Sequence, residues 1–507
     1  MTTLPLPTVL TALPLDQASA VPLYQQLYEG LRQAILVGQL SSGMKLPSTR
    51  FLSTYLRVSR NTVLNAFAQL TAEGYLESKQ GSGTYVAQAL PDEMLSISTD
   101  APTVMPARSQ QGRQPSQRGA KLLAMAHHMP KASISLHHGK LRAFREGIPA
   151  LDVFPRKIWE RLLARQARRS SFDLLNYGDC QPLSEAIAGY LGTARGVRCT
   201  TDQVIVVAGS QQGINLVAKV LLDPGDAAWV EDPGYPGAYG GLLGVGARTI
   251  PVPVDQEGLI VSAGVTSCPE ARLAFVTPSH QFPLGVTMSL KRRLELLEWA
   301  SQTDAWVLED DYDSEYRYTG RPLAALQGID RENRVIYLGT FSKVMFPALR
   351  LGYLVAPPDL VETFRAARKF AVQHPPLLEQ LALADFISEG HFVRHIRRMR
   401  ALYADRQAVL VEIARRELTG LLDVEPAESG MHLLGWLPDH VDDFTASQQA
   451  AAHEVDAAPL STYSIEAVQP GALLLGYAGI DEIEIEAGVH RLIRALQSIP
   501  SPIRSNG

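Results

Sequence analysis

From about Lys131 onward the chain repeats one pattern, a short β-rich apolar run followed by a longer amphipathic stretch. The runs are "VIVVA" (Val204 to Ala208), "AAWVE", "LAFVT", "WVLED" and "VIYLG". Strands apolar on both faces must be covered on both, and strands joined through helices run parallel. The alternation therefore predicts an α/β fold, a mostly parallel sheet with helices on both faces. Ligands of such sheets sit beyond the carboxyl ends of the strands. At 507 residues the chain exceeds what one core organises, so two or three domains are expected. Hydrophobic residues at 46% and charged residues at 20%, with a mean hydropathy of −0.02, exclude a disordered chain and predict a soluble protein with no membrane partner. Residues 1–20 hold Pro5, Pro7 and Pro14 and no Lys or Arg, unlike an export signal. Cys180, Cys199 and Cys268 lie far apart with no C-x-x-C, which predicts a cytoplasmic protein without a metal framework.

Ahead of this region lies a module of different character. The net charge of the chain is −5, yet in residues 22–87 Arg32, Lys45, Arg50, Arg57, Arg60 and Lys79 outnumber Glu29, Glu73 and Glu77, which suits a polyanion. Leu23, Leu27, Gly30, Leu31, Ala34 and Ile35 recur at helical spacing and predict a helix from Pro22 to Val37. Ser48 caps a second helix expected to carry Phe51, Leu52, Tyr55 and Leu56 inward, and Ser59 caps a third. In the third, Val63, Ala66, Phe67 and Leu70 share one face, leaving Arg60, Asn61, Thr62, Asn65 and Gln69 on the other. Two short helices with polar groups at the start of the second form what a helix-turn-helix needs to reach base edges. "YLESKQGSGTYV" then predicts a hairpin wing with Lys79 beside its tip. Residues 16–87 resemble a GntR-type winged helix throughout. The resemblance implies that Arg50, Arg60 and Thr62 contact double-stranded operator DNA with Gln80 and Gly81 at the wing, and Ser59, Asn61, Asn65 and Lys79 complete the DNA-facing set. The alternative is a small helical dimerisation domain whose polar face is only solvated.

Residues 88–130, with "ARSQQGRQPSQRG" and Pro91, Pro102, Pro106 and Pro115, lose apolar periodicity and predict a flexible tether. Residues 131–500 form the large domain.

Four constellations lie at its strand ends, each weak alone. Gly209, Ser210 and Gln211 stand between a strand and a helix N-terminus, where free N–H groups favour a phosphate. Asp310 and Tyr312 follow "WVLED", where a carboxylate can hold a heteroaromatic nitrogen protonated. Lys343 follows "VIYLG", flanked by Thr340, Ser342 and Arg350; a lysine desolvated there is primed to attack an aldehyde. Tyr235 follows "AAWVE" and suits stacking on a flat ring. Together, and in this order, they resemble the pyridoxal 5'-phosphate site of fold-type I aminotransferases. That resemblance runs through "TPSHQFPLG" and "LEDDYDSEYRY" and adds a smaller C-terminal α+β subdomain. It implies an internal aldimine at Lys343, the catalytic residue, with Asp310 on the ring nitrogen, Tyr312 near the phenolic oxygen and Tyr235 on the ring. Phosphate falls to Ser210, Gln211, Thr340, Ser342 and Arg350, and Tyr177 comes from a second subunit.

A GntR-like module tethered to an aminotransferase-like domain resembles the MocR family of transcriptional regulators. The family pattern implies a homodimer, head-to-tail, that binds DNA and senses an amino compound or the cofactor itself through Lys343. Two departures stand out. Aminotransferases anchor the substrate carboxylate with an arginine where "ALLLGYAGI" places Leu474, and leucine offers no bidentate hydrogen bonds. "HQFPLG" has Phe282 in place of the usual asparagine, which leaves His280 or Gln281 to serve the phenolic oxygen. A working aminotransferase with a DNA-binding appendage, and a DNA-binding protein without cofactor, are the rival readings.

Overall fold

The computed structural model describes residues 15–16, 19, 21–79, 82–88, 115–128, 141–169, 178–319, 324–466 and 470–499. Gln80, Gly81 and Tyr177 lie outside them, as does most of the expected tether. The chain divides into two compact units, residues 1–113 and 114–507.

The first unit contains α1 (Leu23–Leu36), α2 (Thr49–Tyr55), α3 (Arg60–Ala72) and the antiparallel pair β1 (Leu76–Lys79) and β2 (Gly83–Val86). Ser48 and Ser59 cap α2 and α3 as their sequence positions predict, each accepting a backbone N–H, from Phe51 and Thr62 respectively. Leu27, Leu31, Ile35, Val63, Ala66, Phe67 and Leu70 are buried together. One expectation fails. In α2 only Leu52 is buried, while Phe51 and Tyr55 lie outside and stack on each other with centroids 6.1 Å apart. Leu56, just past the helix, packs half-buried against the core, and the i, i+4 aromatic pair satisfies itself on the surface.

The second unit holds an eight-stranded sheet in the order β3-β10-β9-β8-β7-β4-β5-β6. Its strands are β3 (Val204–Val207), β4 (Ala227–Asp232), β5 (Arg248–Asp255), β6 (Gly258–Leu259), β7 (Leu273–Val276), β8 (Trp306–Asp311), β9 (Val335–Thr340) and β10 (Gly352–Val355). The β5-β4-β7-β8-β9 pairings are parallel, and β10 runs antiparallel to both β9 and β3. Side chains alternate between two cores: Val204 and Val206 enter one, Ile205 and Val207 the other. A four-stranded antiparallel sheet of β11 (Asp423–Val424), β12 (His432–Trp436), β13 (Ala458–Pro459) and β14 (Ala472–Gly476) forms the smaller C-terminal part with its helices.

The tether boundary also needs correction. Residues expected to be linker form α4 (Gln117–His128), whose half-buried Met125 packs on the core that includes the helix Pro236–Val245, while Arg118 reaches the Gly244 carbonyl at 3.5 Å. Its neighbouring prolines and glutamines mask a helix that contributes only one apolar anchor.

Because the two units have separate cores, Leu31→Ala, which empties a fully buried position of the first, is expected to remove about 2–5 kcal/mol from that unit alone. Calorimetry is expected to show its transition lowered and that of residues 114–507 unmoved.

Candidate functional site

The carboxyl ends of β3, β4, β7, β8 and β9 converge on a cavity of about 490 Å³, within the size range of small-ligand sites. Lys343, Asp310, Tyr312, Tyr235, Ser210, Gln211, Thr340, Ser342 and Arg350 all line it. The sequence therefore placed nine candidate residues that the fold gathers in one place.

One end gathers a helix start and an arginine, groups that can receive an anion. Gly209, at φ +84°, precedes α5 (Ser210–Leu221), no side chain caps that helix, and its first residues Ser210 and Gln211 line the cavity. The chain turns back after β9 so that Gly352 pairs with both Thr340 and Val207. This return carries Arg350, itself left-handed at φ +51°, to Gly209, where an added Cβ would lie 3.5 Å from the guanidinium carbon. Thr340 Oγ1 accepts the Ser342 N–H at 3.2 Å. Tyr235 precedes α6 (Pro236–Val245), and its hydroxyl accepts from Gln211 Nε2 at 3.1 Å.

The other end holds the lysine. Lys343 Nζ donates to the Gly147 carbonyl at 2.9 Å, and burial pushes its pKa down against the opposing pull of Glu146, Asp313 and Asp310. Gly147, at φ +72°, holds a left-handed conformation that favours glycine, and a Cβ there would displace that Nζ. Burial, then repulsion from Asp311 and Glu231, raises the Asp310 carboxyl to about 8. Its Oδ1 is buried without a hydrogen-bond partner among the described residues. The neighbouring acids are committed: Asp311 to Arg195 and the Tyr337 hydroxyl, Glu309 to the N–H groups of Leu326 and Gln327.

Two expectations change at Phe282. Gln281 is fully engaged, its Nε2 donating to Glu231, the Pro233 carbonyl and the Phe282 carbonyl and its Oε1 accepting from Leu284 N. His280 does not reach the cavity wall. It fits a slot beside Gly285 and Gly430, where a Cβ on Gly430 would strike its ring, and its Nδ1 lies 2.9 Å from the Tyr312 hydroxyl and 3.1 Å from Asp313. It therefore orients Tyr312 from behind. Phe282 instead centres an aromatic cluster, edge-on to Tyr235, Tyr312, His432 and Tyr463 at 5.2–6.0 Å.

Glu146, Gly147, His432 and Tyr463 were missed by sequence reasoning. The segment carrying the first two is pinned by the Phe144 carbonyl, which accepts from Gly476 N at 2.8 Å, and by the Ala143 carbonyl, which accepts from Asp456 N at 2.9 Å. Only the glycine of "FREGIP" signalled it. Leu474 is wholly buried with Leu460, Tyr463 and Ala458, and it does not line the cavity.

In the first unit Arg50, Ser59, Arg60, Asn61, Asn65 and Lys79 are exposed. Thr62 is half-buried, and its hydroxyl is 2.8 Å from that of Ser59, so these two serve the helix start as well as any ligand. Lys45 and Lys79 flank the Tyr85 ring at 5.6 and 5.1 Å, giving the wing two adjacent cations.

Comparison with known proteins agrees with this division. The aminotransferase class I and II family matches residues 150–492, and the bacterial regulatory proteins of the gntR family match residues 23–86. The chain is 42% identical over 490 residues to the probable rhizopine catabolism regulatory protein MocR of Rhizobium meliloti, covering 96% of each chain. It is 31% identical to the pyridoxine biosynthesis transcriptional regulator PdxR of Corynebacterium glutamicum, covering 90% of this chain and 92% of that one. Among solved structures, LysN, the α-aminoadipate aminotransferase of Thermus thermophilus complexed with N-(5'-phosphopyridoxyl)-L-leucine, is 28% identical with a TM-score of 0.66, covering 74% of this chain and 96% of that one. With its winged helix followed by a fold-type I aminotransferase domain, the chain belongs to the GntR-type transcriptional regulators that include MocR.

Proposed function

We propose that this regulator holds pyridoxal 5'-phosphate at Lys343 and adjusts its grip on operator DNA in response to an amino compound or to the cofactor itself. The observation that carries the reading is the unpartnered buried Oδ1 of Asp310 in the same cavity as the desolvated Lys343 amine and an uncapped helix start. A protonated ring nitrogen would satisfy Asp310, and the N–H groups of Ser210 and Gln211 with Thr340, Ser342 and Arg350 would hold a phosphate. When bound, the group supplies an aldehyde that condenses with primary amines.

The chain's own residues supply the rest. Tyr235 and Phe282 bound the space for a flat ring. Tyr312, oriented by His280, lines the same space. The Lys343 ammonium is hydrogen-bonded by donating to the Gly147 carbonyl, with Glu146, Asp313 and Asp310 acting on its charge. An effector that binds two arrangements of this cavity unequally shifts their populations, and the tethered DNA units respond. On this reading the protein works in the cytoplasm as a homodimer on double-stranded operator DNA.

A working aminotransferase with a DNA-binding appendage is the second reading, favoured by the retained Lys343 and Asp310. Leu474 counts against it, because its buried aliphatic setting offers nothing to a substrate carboxylate.

Three outcomes test the proposal. Lys343→Ala is expected to abolish the visible absorbance that added pyridoxal 5'-phosphate confers and to make operator affinity indifferent to effector. Arg60→Ala, at the exposed start of α3, is expected to weaken operator binding by about 1–3 kcal/mol at fixed salt, with that absorbance unchanged. Asp310 gives a pH signature. Its folded pKa of about 8 lies above the unfolded value near ~3.9, so the folded state binds the extra proton and ligand-free stability falls as pH rises through that window. Ligand-free Asp310→Asn is therefore expected to melt higher than the parent at pH ~8.5, with the gap closing towards pH ~4, while its cofactor affinity drops by about tenfold or more.

A further inference from the structure

The wall of the cavity around Lys343 is acidic. Three carboxylates act on its ammonium: Glu146, Asp313 and Asp310. Asp310 is set aside for the ring nitrogen in the reading above, and Asp313 is hydrogen-bonded to His280. Glu146 has no such assignment. It lines the cavity, is half-buried, and is hydrogen-bonded by the Tyr463 hydroxyl at 3.2 Å.

Its position is held from two sides. The Phe144 and Ala143 carbonyls anchor its own segment on the C-terminal part. Tyr463 sits in a loop docked on the end of β4, where Gly234 N donates to its carbonyl at 2.8 Å and Asp232 accepts from Ser464 Oγ and from the N–H groups of Ile465 and Glu466. A carboxylate placed this firmly beside a buried amine repels a ligand carboxylate and attracts a donor. The cations that act on Glu146 are Lys343 and Arg145. Arg350 stands at the anion end beside Gly209, and Arg145 lies 3.8 Å from Asp456 in an ion-pair group shared with Arg142. His432 is held neutral, burial and then the neighbouring His280 lowering it to about 4.

Building on the proposed Lys343 site, we infer that Glu146 selects the effector: a primary amine bearing a second hydrogen-bond donor, hydroxyl or ammonium, in place of an α-carboxylate. Burial raises the pKa of Glu146, as expected for a carboxylate whose solvation a ligand donor would replace.

The test uses the full-length protein with pyridoxal 5'-phosphate and four probes, ethanolamine, 1,4-diaminobutane, alanine and 4-aminobutyrate. Binding is read by calorimetry and by operator affinity at fixed salt. The hydroxyl- and ammonium-bearing amines are expected to bind about tenfold or more tighter than the two carboxylates. Glu146→Gln is expected to cut the affinity for 1,4-diaminobutane by about tenfold while leaving alanine unchanged or improved. Tyr463→Phe, which frees the carboxylate from its hydroxyl partner, is expected to narrow the preference in the same direction and serves if Glu146→Gln does not fold. Equal or tighter binding of the amino acids, or a ranking unmoved by both variants, overturns the inference. If added cofactor gives no visible absorbance, the Lys343 reading falls by itself, and the calorimetric ranking on the same protein still decides the role of Glu146.

Discussion

The site depends on one electrostatic arrangement, a lysine ammonium buried at the end of β9 among carboxylates that the sheet cannot separate. β8 ends in Glu309, Asp310 and Asp311, all buried, with Asp313 buried just beyond. Such a run is costly unless each charge is matched. Arg195 and Tyr337 match Asp311, backbone N–H groups match Glu309, and His280 matches Asp313. Asp310 lines the cavity, its Oδ1 buried without a hydrogen-bond partner among the described residues, and burial beside Asp311 and Glu231 raises its pKa to about 8.

Backbone topology concentrates these charges. In a parallel sheet every carboxyl end points the same way, so strand-end residues far apart in sequence meet. The reversed β10 between β9 and β3 adds the anion end, because its return loop is what brings Arg350 to Gly209. Close packing at glycine sustains the approach: a Cβ on Gly352 would come 2.8 Å from the Gly339 carbonyl.

These causes explain what could be read from the sequence. Strands buried on both faces appear as uninterrupted apolar runs, so β3, β4, β7, β8 and β9 were legible, and residues immediately after them were legible as a site. The third helix of the winged unit was legible because Val63, Ala66, Phe67 and Leu70 fall on one stripe. Phe51 and Tyr55 misled because an i, i+4 aromatic pair has the same spacing whether it faces a core or stacks outside. Glu146 and Tyr463 were invisible for another reason. They arrive from segments on either side of the sheet in sequence, and no local periodicity encodes a meeting made by packing against β14 and β4.

The division of labour between the two ends of the cavity also constrains how a regulator can arise from an enzyme fold. On the proposed reading, Arg350, the start of α5 and Asp310 would contact the phosphate and ring rather than the incoming amine. Selectivity then falls to cavity residues beyond the ring, in the 141–150 segment and at Tyr463. The chain buries leucine at position 474 and offers a carboxylate at 146. On that reading cofactor binding and effector choice fall to separate stretches of chain, so the second could change while the surroundings of Lys343 and Asp310 stay intact.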